Sequence, residues 1–409
     1  MEQQENLLNK MVKEIAKENK FVNPKTTIFE TVKNGYLGIP HKISIEETNK
    51  SGGKGKSLHL FLKSAPTGSR DVLPFRDAFL NEITMYEEVL PTFFKFQKEK
   101  GVKEPFESIT KCYKSCSVEN QELLIFDDLT KHNFLLWDKV VPMTKKSIEF
   151  VVKQSAKYHA VSFAIREQRF DVFNKLTSKL SLRAFHDFCK SSSILQTLVV
   201  NAQFALKCFD PRADEQIYNK FNHFLENDLK ETALGNSGGN DVVIIHGDSW
   251  CNNFMFKFKD PNNPDDVEEM KFLDWQFSRL ASPVIDLSYF FYCNGPQEAF
   301  DNLEHYMKLY HNTLGTSLKD MGTDVEKVFP YSTFKNHWRK YAKFGLAVAC
   351  TLINIYYNPN HNEALNISEL MESGSNFAET FANSEILDNQ TYKKRMRGVV
   401  THFVNNGFI

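Results

Sequence analysis

The chain's hydrophobic and polar positions change period along its length. Near the start, Leu7, Leu8, Met11 and Ile15 recur at helical spacing among charged neighbours. This predicts a short amphipathic helix packed on the body. From about residue 28 the apolar positions alternate instead. Residues 27–32, 42–45 and 57–63 are expected strands, with a polar, Gly- and Lys-rich connection at 46–57. Residues 75–100 return to helical spacing, and 106–116 with 121–126 form another expected strand pair. After about residue 130 the pattern is mostly helical: a long amphipathic helix at 145–168, helices through 171–230, and helices dominating 284–404. One stretch interrupts it. Val242 to Ile245 is apolar and β-branched, hence a buried strand; Phe254 to Phe258 and Met270 to Leu273 flank a turn rich in Pro, Asn and Asp at 260–266.

The ends of those three strands carry the chemistry. The first runs into His246-Gly247-Asp248, Asn253 stands at the entry of the hairpin, and Asp274 stands at its exit. Hairpin pairing brings Asn253 and Asp274 to one end, beside Asp248. Phosphoryl transfer from a nucleotide calls for this set. One carboxylate, Asp248, accepts the substrate hydroxyl proton; an amide oxygen, Asn253, and a second carboxylate, Asp274, hold Mg²⁺ on the phosphates. A lone His-Gly-Asp or a lone Asp at a strand end is commonplace. The ordered combination is what carries the reading.

The phrases HGDSWCNN, LDWQ and PVIDLSYF resemble those of small-molecule kinases with a protein-kinase-like fold, the aminoglycoside and choline kinase group. Within it the chain is most similar to the ecdysteroid kinase-like family. FLNEITMYEEVLP at 79–91, LLIFDDL at 123–129 and Tyr158-His159-Ala160 add to the resemblance, which covers roughly residues 25 to 380. It implies an α+β, two-lobe fold with a small β-rich N-lobe and a large, mainly helical C-lobe. The expected division is a helical extension at 1–24, a nucleotide-binding lobe at 25–129, and a catalytic and acceptor-binding lobe at 130–409.

The resemblance also implies an ATP site. Lys63 ends an alternating strand, and Glu82 follows 19 residues later within a helix, in an F-x-x-E-x-x-x-Y phrase beginning at Phe79. A kinase needs a lysine on the α/β-phosphates and a helical glutamate to hold it. Glu87 and Glu88 are the competing helix glutamates. NGYLG at 34–38 has two glycines for backbone approach to phosphates but is not G-x-G-x-x-G. The adenine edge is expected to meet main-chain groups at about Phe126 and Asp128. Asp286 is expected to brace the catalytic loop, although a helix cap is an equally physical reading after Pro283. His246 is read as a loop brace and not a base, and Trp250 and Cys251 as packing.

Composition narrows the partners. With 409 residues the chain has ample length for a large core. Its 50 basic and 51 acidic residues are spread along it, which points away from nucleic acid and from a polybasic membrane anchor. The amino terminus is charged throughout and lacks the apolar core of a signal peptide, and the apolar runs read as buried helices rather than membrane spans. Seven cysteines at irregular spacing form neither a disulfide framework nor a zinc pattern. Free thiols suggest the cytoplasm. Cys112 and Cys116, four apart on an expected strand, should share a face.

The acceptor is left to composition and resemblance. Phe occurs 36 times, against 14 Tyr and 4 Trp. Most are expected in the core, with a minority lining an apolar acceptor pocket. The resembling branch implies ATP-dependent phosphorylation of an ecdysteroid-like or other lipophilic alcohol. A choline- or aminoglycoside-type kinase calls for clustered carboxylates, whereas the acidic residues at 209–231 are dispersed. A catalytically silent binding protein runs against intact Asp248, Asn253 and Asp274. A protein kinase is disfavoured, because no Asp-Phe-Gly or Ala-Pro-Glu segment follows the catalytic motif.

Overall fold

Alternating strands dictate the small lobe. The computed structural model of the chain describes residues 2–29, 38–48, 54–66, 70, 74–235, 239, 241–358 and 384–409. Helix α1 (Glu2–Glu18) precedes strands β1 (Pro24–Phe29), β2 (Ile39–Thr48) and β3 (Lys54–Ser64). Helices α2 (Phe75–Thr84) and α3 (Leu90–Lys100) follow, joined by a wider π turn at Met85–Val89. Pro91, which has no N–H for the preceding turn, sits just beyond that irregularity. β4 (Cys112–Cys116) and β5 (Leu123–Asp127) complete an antiparallel sheet of order β1–β2–β3–β5–β4.

Each face of this sheet meets a helical layer. Leu123 and Ile125 join Ile43, Ile45, Leu60 and Leu62 beneath Val12, Ile15 and Ala16 of α1. The intervening Leu124 and Phe126 turn the other way, toward Phe79 and Ile83 of α2. The amphipathic first helix thus packs on the body as its spacing predicts. The cysteine expectation fails. The register slips between Cys112 and Lys114, so Cys112 pairs with Phe126 while Cys116 pairs with Leu123. An extra residue reverses the pleat. Cys112 therefore packs with the α2 side and Cys116 with the α1 side.

Residues 106–110 are not a strand of that sheet. They run beside the catalytic hairpin, where Ile109 forms a parallel bridge to Phe272 and the Phe272 N–H donates to Ser108 O at 2.9 Å.

In the large lobe a short strand β6 (Leu135–Leu136) precedes α4 (Lys145–Gln168), whose Thr144 cap accepts from the Ser147 N–H at 3.3 Å. Then come α5 (Phe170–Thr177), α6 (Leu182–Lys190), α7 (Ser192–Leu206), α8 (Glu215–Asn227) and α9 (Leu229–Ala233). Strand β7 (Val243–Ile245), the hairpin β8 (Phe254–Phe258) and β9 (Val267–Phe272), and β10 (Arg279–Ala281) form two small sheets, β6–β8–β9 and β7–β10. The remaining helices are α10 (Pro283–Asn294), α11 (Gln297–Asp301), α12 (Leu303–Asp320), α13 (Val325–Val328), α14 (Tyr331–Tyr341), α15 (Lys343–Tyr357) and α16 (Gln390–Asn405). Among the described residues no helix is long and apolar enough to cross a membrane.

Asn81 ties the lobes together. It lies on α2, 1 % exposed. Its Nδ2 donates toward Ser181 O, Gln276 O and Ser278 O at 3.1–3.2 Å, and its Oδ1 accepts from the Ser181 N–H at 2.7 Å. Substituting Asn81→Ala removes a partner from several buried main-chain groups. We expect a loss of about 1–3 kcal/mol, the range for leaving a buried polar group unpaired. The urea midpoint of the variant should fall; an unchanged midpoint would show that this link contributes nothing.

Candidate active site

Strand β7 delivers the chain to His246-Gly247-Asp248, and the turn there has little freedom. Gly247 has φ +89°, and a Cβ on it would lie 2.1 Å from Phe277 O. Only glycine fits. The buried Asp286 carboxylate, on the first turn of α10, gathers the loop. Its Oδ2 accepts from the His246 N–H at 2.7 Å, and its Oδ1 from the Gly247 N–H at 2.8 Å and Ser249 Oγ at 3.1 Å. His159 Nε2 lies 3.2 Å from Oδ2, and His159 Nδ1 meets Tyr310 OH at 2.9 Å. Burial alone would raise the Asp286 pKa; the donors, His159 foremost, hold it below the usual value. Asp286 is therefore a brace. Ser282 caps its helix instead, accepting from the Val284 N–H.

His246 cross-links the same loop. Its Nε2 lies 2.8 Å from Leu273 O, next to Asp274, and its Nδ1 accepts from the Asp248 N–H at 3.2 Å. These partners require the neutral ring protonated on Nε2. Burial lowers its pKa in the same sense. The ring joins the two loops and has no nitrogen left for a substrate.

Asp248 is half-buried and held at both oxygens. Tyr289 OH donates to Oδ1 and Asn253 Nδ2 to Oδ2, each at 2.8 Å. Burial, and then the charge of Asp274, push its carboxyl up to about 7. The hairpin behaves as its sequence suggests. Phe254 pairs with Phe272, and the Leu273 N–H donates to Asn253 O at 2.9 Å, pinning Asn253 beside the exit to Asp274. Asp274 has φ +61°, a left-handed conformation that Asp tolerates better than most residues. Its Oδ1 accepts from Lys63 Nζ at 2.6 Å, and Lys63 Nζ also donates to Glu82 Oε2 at 2.6 Å. Burial alone would lower the Lys63 pKa; the two carboxylates outweigh it and keep the ammonium protonated. Of the competing glutamates, Glu88 pairs with Lys179 and Glu87 with Ser115, away from Lys63.

Lys63, Glu82, Asn253 and Asp274 line a cleft of about 590 Å³ between the lobes, with Phe61, Tyr86, Phe126, Asp128, Leu129 and Trp137 in its walls. Gly38 also borders it; a Cβ there would lie 2.9 Å from Lys63 Cγ. The rest of NGYLG lies outside the described residues. The main-chain expectation at Asp128 needs adjustment. Its N–H donates to His59 O and its carbonyl accepts from the Lys131 N–H, both at 3.0 Å. Its carboxylate caps the following short turn through Thr130 and pairs with Lys42 at 3.2 Å. Both backbone groups of Asp128 are thus already committed within the protein. The main chain of Phe126 is paired in the sheet, with Phe61 on one side and Cys112 on the other.

A second cavity, of about 200 Å³, opens on the other side of Asp248. Its walls are almost wholly apolar: Phe185, Phe188, Phe277 and Phe344, with Leu198 and Ile355. Among the described lining residues Asp248 is the one carboxylate. Trp250 lines it as well, parallel to Tyr356 with ring centroids 6.3 Å apart, while Cys251 is buried at 1 % exposure.

Sequence reasoning missed Tyr289 and Asn81. Tyr289 had a signal: it falls three residues after Asp286, and that helical spacing points both side chains at one loop. Asn81 had none, because its partners lie 100 or more residues away.

Among solved structures, a mutant aminoglycoside 2'-phosphotransferase-IIIa with GDP superposes with a TM-score of 0.41 at 12 % identity, covering 90 % of this chain and 95 % of that one. Choline kinase LicA from Streptococcus pneumoniae superposes with a TM-score of 0.36 at 13 % identity, covering 84 % and 98 %. Curated proteins gave no match. The family model of the ecdysteroid kinase-like family matches residues 33–323, which include Lys63, Glu82, the whole catalytic hairpin and Asp286. By that match the chain belongs to the ecdysteroid kinase-like family.

Proposed function

We propose that this protein transfers the γ-phosphoryl group of ATP to a hydroxyl of an ecdysteroid-like or other lipophilic alcohol. One observation carries the reading. Asp248 faces an apolar cavity, while Asn253 and Asp274, on the same loop system, face the separate cleft that holds Lys63. A cationic acceptor needs carboxylates around its charge; a lipophilic alcohol needs apolar walls and one proton acceptor. The cavity encloses the part of the acceptor that bears the reacting hydroxyl, and a bulkier acceptor extends from its mouth.

The donor set fits Mg²⁺. Asp274 offers a carboxylate, and Asn253, whose amide nitrogen is committed to Asp248, offers its amide oxygen. Among the described residues no cluster of three or more His, Cys, Asp or Glu is suited to a metal. Mg²⁺ needs none, because it takes one or two protein oxygens together with phosphate oxygens and water. When bound it neutralises charge on the phosphates. Lys63, steadied by Glu82, presents its ammonium to the same phosphates. Asp248 orients the acceptor hydroxyl and takes its proton as the oxygen bonds to the γ-phosphorus and the bond to ADP breaks. Each Asp248 oxygen spends one lone pair on Tyr289 or Asn253 and keeps another for the substrate.

Asp248→Asn should lower kcat by about 10²–10⁴-fold, the usual worth of a general base, with an unchanged melting temperature. A folded variant of full activity would remove Asp248 from the role. Asp274→Ala should weaken ATP binding in the presence of Mg²⁺ and suppress turnover together. Calorimetry with and without Mg²⁺ reads this directly, and equal affinities in both proteins would count against the metal assignment. For the acceptor, a competition panel should show phosphorylation of ecdysteroids or related lipophilic alcohols. Efficient turnover of choline or an aminoglycoside, with the lipophiles inert, reverses the assignment.

A further inference from the structure

The apolar cavity contains two polar groups that the chemistry above does not use. Gln276 lines it, is 2 % exposed, and its Oε1 has no hydrogen-bond partner among the described residues. Thr351, on α15, lines it too, and its buried Oγ1 is likewise without a partner. Buried polar groups in native proteins are nearly always paired, and an unpaired one is costly. Neither residue is needed there for packing alone, since Leu or Val would fill the same space without that cost. Of the other polar groups of the wall, the Cys189 thiol is a weak donor that resembles a small apolar side chain. Tyr289 donates to Asp248, and Thr197 and Trp250 have partners of their own.

We infer that Gln276 and Thr351 form a second anchoring point for the acceptor, and that the preferred acceptor is a diol. One hydroxyl meets Asp248 and is phosphorylated; the other pairs with the Gln276 amide and the Thr351 hydroxyl. A hydroxyl suits this pair because it both donates and accepts. It satisfies Gln276 Oε1 as a donor, and it satisfies Thr351 in either direction. A ketone lacks the proton that Oε1 requires. An acceptor that is hydrocarbon apart from its reacting hydroxyl would leave both groups unpaired when it expelled water from the cavity, so the site discriminates against it.

Position adds to the case. Gln276 lies two residues after Asp274, and its carbonyl is held by Asn81 of the N-lobe helix α2. The backbone that carries Gln276 is therefore fixed by the same contact that joins the lobes. A second hydroxyl bound there fixes the rotation of a rigid acceptor, and so selects which of its hydroxyls reaches Asp248. Gln276 and Thr351 are thus specificity residues; neither touches the reacting atoms.

The inference rests on the lipophilic-alcohol reading of the cavity, and the test separates the two. A rigid cycloaliphatic monol and matched diols of differing hydroxyl separation are offered to the wild-type enzyme with ATP and Mg²⁺, and kcat/KM is measured for each. At least one diol should exceed its monol by about 10–100-fold, the factor expected when one or two buried polar groups go unpaired. In Gln276→Leu, close in volume, that ratio should fall toward one. In Thr351→Val it should fall part of the way. Calorimetric binding of the same pair, without nucleotide, should show the same collapse and does not depend on turnover. An unchanged diol-to-monol ratio in both variants overturns the inference while leaving the lipophile reading intact, as does a wild-type preference for monols throughout. Turnover of cationic acceptors alone overturns both.

Discussion

A single buried carboxylate organises the catalytic loop. Asp286 has both oxygens satisfied, by two main-chain N–H groups, a serine hydroxyl and a histidine. A charge this deep is tolerable only because those donors replace the water it gave up. Their geometry runs the other way as well. Once Asp286 is fixed on α10, the N–H groups of His246 and Gly247 have one place to point, and Asp248 follows. The glycine between them is forced by the approach of Phe277 O. His246 then carries the constraint across to Leu273, so the loops bearing Asp248 and Asp274 are positioned as one unit.

That unit is joined to the small lobe at two kinds of contact. Asn81 makes neutral hydrogen bonds to main-chain groups, which set distance. Lys63 makes a charged bridge between Glu82 of the small lobe and Asp274 of the large one. The two differ in what a bound nucleotide asks of them. The Asn81 contact involves no group that phosphates need, so it persists. The Lys63 ammonium and the Asp274 carboxylate are the groups that the proposed reaction assigns to phosphates and Mg²⁺, and without those ligands they pair with each other. Residues 84–90 keep the α2 turn carrying Asn81 and Glu82 next to a π irregularity, which rotates α3 relative to it.

Local chemistry was legible in the sequence, and distant contacts were not. The long helix at 145–168 and the strand at 254–258 stand where the sequence places them, although the helix is buried all round over 158–165 and the strand on both faces over 254–256. The hairpin brought Asn253 beside Asp274 through the pairing of Phe254 with Phe272, although the connection at 259–266 is long. Lys63 and Glu82 meet as the kinase-like order implies. Residues 106–110 misled, because a short mixed segment such as FESIT reads alike whether it joins a sheet or lies along another hairpin. The cysteine pair misled because one bulged residue inverts every later side chain, and nothing in CYKSC announces it. At Asp128 the expectation concerned the main chain, whose N–H and carbonyl pair with His59 and Lys131, while the side chain caps the turn it begins.

The catalytic loop finally explains why two such different cavities lie so close together. A nucleotide needs a polar cleft, and a lipophilic acceptor needs a dry one. The loop stands between the two, with different side chains facing each. Asn253 and Asp274 turn to the cleft, Asp248 turns to the cavity, and Tyr289 closes the contact from the cavity side by bonding Asp248. Burial, and after it the charge of Asp274 across the loop, raises the Asp248 pKa. The environment of this carboxylate is therefore set from both sides of the loop and not by the cavity alone.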